Sequence, residues 1–232
     1  MEYRLLQVST PHPCRANLAL VSSRNRRTLN YSPIFAIAIL GTIFSSFALV
    51  IFFGLQFRKR KLAKGLELRA VDVWPQIQNA GFDLSGLLYG VWQDFSATQL
   101  GMIVKDCQDR QVAKIRYRTA ARGWIFIETP GGNFEADVSL RAVSDGSHSL
   151  CEFRRLSGGT YCFDAKSLGV LESRPPGGLH LAPVFEYTLN GTPAGASRHI
   201  GEWVDYGRML VLPPQLPLQI RLFVLAWQAR RS

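Results

Sequence analysis

The sequence predicts a mainly β protein tethered by one N-terminal transmembrane helix and completed by a buried apolar C-terminal helix. Three observations predict it. Ser32 to Phe57 carries no charged residue over a length that fits a bilayer. From about Gly86 onward the hydrophobic pattern has period two and is broken by turn residues. From Leu216 to Gln228 the chain is apolar nearly all round. The second observation describes antiparallel strands in a meander that closes into a barrel or a sandwich.

The span comes first. Between Ile34 and Leu55 only Gly, Ser and Thr interrupt the apolar residues. As a helix this stretch reaches roughly 33 Å, against a hydrocarbon core of about 30 Å. Arg27 bounds it on one side and Arg58-Lys59-Arg60-Lys61 on the other. Gly41-x-x-x-Ser45 offers a face on which a second helix can approach closely. Before the span, residues 1–31 form a basic arm in which five arginines and a single acid, Glu2, resemble an organellar transit peptide. A disordered arm is the alternative.

Dividing the charge excludes one class of function. The whole chain carries +10. Residues 1–64 hold ten Lys/Arg against Glu2, hence +9, and residues 65–232 hold seventeen against sixteen acids, hence +1. The basic excess flanks the span, where it meets lipid headgroups, and nucleic-acid binding loses its support. Arg15, Arg24, Arg26 and Arg27 precede the span; Arg58, Lys59, Arg60, Lys61, Lys64 and Arg69 follow it. The larger count predicts a C-terminal domain on the cytoplasmic side, or the matrix side of an organellar inner membrane. The opposite orientation is the alternative.

Residues 58–85 read as a polybasic juxtamembrane linker. Leu66, Leu68, Val71, Val73 and Trp74 make it apolar enough to lie along the membrane or along the domain. The β-rich domain follows over 86–232. In RQVAKIRYR, Ala113, Ile115 and Tyr117 share one face, while Lys114, Arg116 and Arg118 share the other. NFEADVSLRAV alternates in the same way from Phe134 to Ala142. Further strands are predicted at Gly101–Lys105, Trp124–Glu128, Ser149–Arg154, Tyr161–Phe163, Pro183–Leu189 and Met209–Leu212. Turns are predicted at Asp106–Asp109, Pro130–Asn133, Asp145-Gly146, Ser157–Gly159 and Asn190-Gly191.

Residues 216–228 then change period. Arg221 is the only charge, Pro217 suits a first helical turn, and the segment is too short to span. A buried core helix fits it, and a strand is the alternative because Ile220, Leu222 and Val224 also alternate.

Strands first and one very apolar helix last is an order that resembles the tubby C-terminal-like superfamily. That group includes tubby proteins, LURP-one proteins and phospholipid scramblases. Pro217-Leu218-Gln219, leading into the apolar segment, looks like the start of the tubby helix. Lys114-x-Arg116 resembles the basic pair with which tubby domains hold phosphoinositides. The resemblance covers about Gly86 to Ser232 and implies a closed antiparallel barrel threaded by the last helix. The chain departs from scramblases in two respects: its span is N-terminal, and their cysteine cluster and calcium-binding segment are not visible.

The candidate site is cationic. Lys114, Arg116 and Arg118 share a strand face with Arg122 close by, and each charge near an anionic membrane is worth about 1 kcal/mol. Arg58, Lys59, Arg60 and Lys61 form a second, juxtamembrane contact for anionic lipid. The bland alternative for the strand is a solvated face that discourages edge pairing.

Catalysis finds no comparable support. The four histidines, His12, His148, His180 and His199, lack ligand-like neighbours at helical spacing. Cys14, Cys107, Cys151 and Cys162 form no zinc pattern; buried free thiols are the expected state of the domain's three, with a Cys151–Cys162 disulfide as the alternative. Asp106 and Asp109 lack the remaining ligands of a calcium loop.

The expectation is therefore a non-enzymatic, cofactor-free membrane module binding anionic phospholipid or a partner. The alternative is an accessory subunit of a larger membrane assembly, docking protein through its β domain or its span. Trp92, Trp124, Trp203 and Trp227 are the aromatic residues such an interface would use.

Overall fold

A computed structural model of the chain describes residues 33–77, 81–96, 99–117, 124–137, 142–144, 149–156, 160–174 and 184–230. It is mainly antiparallel sheet with one apolar helix before it and one after it. The contacts divide it into two units, Met1–Leu49 and Val50–Ser232.

Helix α1 (Pro33–Glu67) is the only element described in the first unit, and it crosses into the second. It is long and apolar enough to cross a membrane. Phe35, Ile37, Ile43, Phe44 and Phe47 are all more than half exposed. Two of its hydroxyl side chains satisfy themselves within the helix. Thr42 Oγ1 donates to the Ala38 carbonyl at 2.9 Å, and Ser46 Oγ donates to the Thr42 carbonyl at 2.8 Å. Such back-bonding lets a hydroxyl sit in hydrocarbon without an unpaired donor. The helix does not stop at Phe57, as the apolar stretch alone suggests. The cations Arg58 to Lys61 and the residues up to Glu67 continue it, so the first part of the expected linker is helical. Lys and Arg are good helix formers, and no Pro lies between Pro33 and Pro75 to end it.

In the second unit α1 gives way to a short turn of helix, α2 (Ala70–Val73), and a 3₁₀ turn at Trp74–Gln76. The strands follow: β1 (Leu87–Ser96), β2 (Gln99–Asp106), β3 (Gln111–Tyr117), β4 (Trp124–Thr129), β5 (Gly132–Asp137) and β6 (Ala142–Ser144). After them come β7 (Ser149–Arg155), β8 (Tyr161–Asp164), β9 (Val170–Arg174), β10 (Phe185–Leu189), β11 (Thr192–Ile200) and β12 (Gly207–Val211). Helix α3 (Leu218–Arg230) ends the described chain. Each strand pairs antiparallel with its neighbour in sequence, and β1 pairs with β12 as well as with β2.

The Asn190-Gly191 turn is where the sequence places it. Both residues have positive φ, 51° and 81°, and Leu189 faces Thr192 across a two-residue hairpin. That conformation is why Asn-Gly is preferred there. NFEADVSLRAV is not one strand but the hairpin β5–β6, with Asp137 facing Ala142. Alternation reports which face a side chain takes; with no Gly, Pro or Asn between, it does not report that the chain reverses.

Helix α3 is the inner core. Leu222 to Ala226 have essentially no exposure, and Trp227 is nearly as buried. They pack with Leu88, Met102, Ile115, Ile127, Phe153, Phe163, Leu171 and Leu210 from eight different strands. The Trp227 indole lies 4.4 Å from the Tyr161 ring and 5.2 Å from the Phe163 ring, centroid to centroid. The helix starts at Leu218, two residues later than expected, because Pro217 supplies the first carbonyls to Ile220 and Arg221. Arg221 remains half-exposed in that first turn, and burial of its guanidinium lowers the group's pKa. Among the described residues no ion pair reaches it, and its electrostatic neighbour is Cys107 in the β2–β3 connection.

A second apolar cluster lies on the outer wall. Leu87, Tyr89 and Val91 of β1, Ala196 and Ile200 of β11, and Met209 and Val211 of β12 are buried beneath Ala70, Val73 and Ile77. Strands β1 and β12 therefore have apolar residues on both faces, which is why LLYGV and GRMLV lack alternation. Of the juxtamembrane apolar residues, Val73 is buried and Leu68 and Trp74 are half-buried against the wall, while Leu66 and Val71 stay exposed.

Candidate functional site

Lys114 and Arg116 are both on β3, half-exposed, with Ala113 and Ile115 pointing into the core. Across the ladder Lys114 faces Glu128 on β4. Arg116 reaches the same acid: its Nη2 is 2.8 Å from one carboxylate oxygen of Glu128 and 3.0 Å from the other. The guanidinium also lies 5.3 Å from the centre of the Phe95 ring. Two cations and one carboxylate leave a net +1 on this patch, so the basic pair is half neutralised by a residue one strand away. Arg118 and Arg122 lie outside the described residues.

The juxtamembrane cations divide as well. Arg58 pairs with Asp94 near the end of β1, at half exposure on both sides. Lys59 and Arg60 are exposed and Lys61 is half-exposed. One turn on, the Lys64 ammonium sits 5.7 Å from the centre of the Tyr206 ring.

These contacts belong to a longer clamp that fastens the chain after the apolar stretch of α1 to the outer wall. At its centre is Asp109, in the β2–β3 connection, with φ 62°. One oxygen accepts the Ala70 amide at 2.6 Å and the Tyr89 hydroxyl; the other accepts Arg69 Nε at 3.2 Å. Lys105 Nζ donates to the Leu66 and Leu68 carbonyls at 3.1 and 3.3 Å. Arg198 donates to the Gln76 carbonyl at 2.9 Å, and Gln76 Oε1 accepts the Gly201 amide at 3.0 Å.

The loop that presents Asp109 is itself tied by Asp106. This carboxylate accepts the Gln108 and Arg110 amides at 2.9 and 3.0 Å and Arg110 Nε at 2.9 Å. Burial pushes both carboxyls up, but these hydrogen bonds outweigh it and hold Asp106 and Asp109 below the ordinary carboxylate range. The Tyr89 phenol moves the other way, raised by burial and then by its bond to Asp109. The two aspartates that a calcium reading would have claimed are thus occupied as loop and clamp.

Neither a family model, a curated protein nor a solved structure matches this chain.

Among the described residues, apolar side chains from the surrounding strands pack against the buried length of α3. Its one polar residue there, Gln228, donates to the Tyr187 hydroxyl at 2.7 Å, which in turn meets Ser197 Oγ at 3.0 Å. Cys107, Cys151 and Cys162 are free, and burial pushes the Cys151 thiol up to about 12, away from reactivity. An open cleft of about 410 Å³ lies at the start of α3, lined by Val112, Pro130, Phe134 and Leu218 with the Asp106–Arg110 pair. Of the four tryptophans proposed for an interface, Trp227 is core, and Trp92 is half-buried against Tyr117. The Trp124 side chain lies outside the described residues. Trp203 alone of the three described is in solvent, 85% exposed.

Proposed function

We propose that this chain is a single-pass membrane protein whose β unit works as a binding module at the membrane surface, engaging anionic phospholipid. In this reading the sheet is a closed barrel threaded by α3, as in tubby-like proteins, and it faces the cytoplasm or matrix. The unbroken run of β pairings and the burial of α3 on every side support the threaded barrel. The observation that carries the functional reading is the clamp. Helix α1 passes from its apolar stretch through Arg58–Lys61 and is then fastened to β1, Tyr206 and Asp109. A module tied so closely behind a span is held near headgroups, where Lys114, Arg118 and Arg122 need only modest affinity. No catalytic residue or cofactor enters the reading. Because side chains fill the core, lipid is bound at the surface and does not pass through.

A second reading, a non-catalytic accessory subunit that docks protein, draws support from Glu128, which cancels part of the cationic face. Flotation separates the two. The fragment 65–232 is expected to float with phosphatidylserine vesicles, to stay behind with phosphatidylcholine, and to be released by salt. Reversal of Lys114, Arg116 and Arg118 to Glu is expected to abolish flotation. A fragment that floats with neither vesicle, or a triple variant that floats like wild type, favours the docking subunit.

A further inference from the structure

We infer that the β1–β2 and β11–β12 hairpins form a second, non-helical contact with the bilayer, with Trp203 seated in its interface. The inference rests on the proposal that α1 spans a membrane. It goes beyond it by naming which end of the β unit touches lipid and through what.

The first argument is height. Three contacts align α1 and its extension antiparallel to β1. Arg58 meets Asp94, Lys64 meets Tyr206 beside Trp92, and the Leu68 carbonyl accepts the Tyr89 hydroxyl. From Arg58 to Leu68 the helix rises about 15 Å. From Asp94 back to Tyr89 the strand covers roughly 17 Å, so the two run side by side. Beyond Asp94 the strand continues to Ser96 before turning, about 7 Å further toward the span. Four to five helical residues cover the same height, which brings the end of β1 at Ser96 level with Gly54 or so, past the last cation-free turn before Arg58. The β1–β2 hairpin therefore reaches the interfacial layer whenever α1 is inserted. Its walls are Phe95 and the exposed Leu100.

The second argument is Trp203. Strand directions place the β11–β12 connection at the same end, and the Trp92 amide donates to the Tyr206 carbonyl at 3.0 Å. The base of this connection is fixed. Tyr206 N donates to the Ile200 carbonyl, Gly201 turns at φ 92° and is held by Gln76, and Asp205 pairs with the buried Arg208 at 2.7 Å. From that base an indole projects 85% exposed. Lys64, level with the base, stands about 9 Å below Arg58, and the three residues from Tyr206 to Trp203 span up to about 10 Å. An amphipathic ring at the level of the first cations after a span is where interfacial tryptophans reside. Leu84 and Leu168 at the far end are about as exposed as Leu100, so the weight lies on Trp203 and on the hairpin's height.

The experiment uses the full chain in phosphatidylcholine vesicles, with acyl chains either plain or brominated near the headgroup, and compares wild type with Trp203→Phe. Brominated lipid is expected to quench part of the wild-type fluorescence, and this part is expected to vanish in Trp203→Phe. Aqueous iodide is expected to quench both proteins equally. Equal quenching by brominated lipid, with iodide quenching only the wild type more strongly, puts Trp203 in water and overturns the inference while the span stands. Equal quenching by both agents means that a protein surface covers the ring, which also overturns it. If alkaline carbonate strips the chain from the vesicles, the transmembrane reading itself has failed, and the hairpin contact with it.

Discussion

Helices α1 and α3 are both apolar on nearly every side, yet their surroundings are opposite. The large apolar side chains of α1 from Phe35 to Phe57 are exposed along its whole length, whereas Leu222 to Ala226 of α3 have almost no exposure. The lack of a wet face does not separate them. Length does: α1 has 35 residues and α3 has 13. About 20 apolar residues are needed to cross a bilayer, so α1 is long enough and α3 is not. A helix with no wet face that cannot span must find protein on all sides, and a twisted antiparallel sheet provides it. The flanks agree. Four consecutive cations follow the apolar stretch of α1, while Arg221 is the only charge within residues 216–228 and stays at the half-exposed first turn of α3.

The same kind of substitution in each helix tests this contrast. Leu222→Asp puts an unpaired carboxylate into a site with no exposure, at a cost of several kcal/mol, comparable to the stability of a whole domain. In detergent-solubilised protein it is expected to abolish cooperative urea unfolding, while the chain still resists carbonate extraction. A variant that melts like wild type would show that α3 is not the core.

Leu49→Asp makes the same change in the span. A central Asp costs about 2.5–3.5 kcal/mol on the insertion scale. The carbonate-resistant fraction is expected to fall, while the urea melt of the β unit does not move. Loss of both properties together would mean that the two apolar helices depend on one another.

The smallest expected effect concerns the outer cluster. Asp109→Asn removes charge from hydrogen bonds to Ala70, Tyr89 and Arg69, worth about 1–2 kcal/mol in total since the site is partly open to water. The folded carboxyl lies below its ordinary value, so its contribution is complete above the unfolded carboxylate pKa. It is lost as pH falls through the depressed folded value. The protection factor of the Ala70 amide, with the intrinsic pH dependence removed, is expected to be high at neutral pH, to fall under acid, and to stay at the low acid value across the range in Asp109→Asn. Protection in the variant equal to wild type would leave the apolar contacts of Val73 and Ile77 as the whole clamp.

What was legible in the sequence was local. Charge-free length marked the membrane-competent helix, period-two patterning marked strands such as β3, and Asn190-Gly191 marked its own hairpin because only such a pair takes two positive φ values cheaply. The helix choice for 216–228 was legible through Pro217 and the absence of a polar face. Pairing across the ladder was not. That Glu128 sits opposite Lys114 and pairs with Arg116 depends on the register of β3 with β4, which the pattern within either strand does not record. The reversal inside NFEADVSLRAV was hidden because alternation is the same in β5 and in β6. The docking of the juxtamembrane segment was half visible, as apolar residues without an assigned surface. Tertiary structure supplied that surface by burying β1 and β12 on both faces and by bringing Asp109 to the Ala70 amide from 39 residues away. A one-dimensional pattern records how each residue meets water, whereas a clamp is a relation between residues distant in sequence, and only the folded chain brings them into contact.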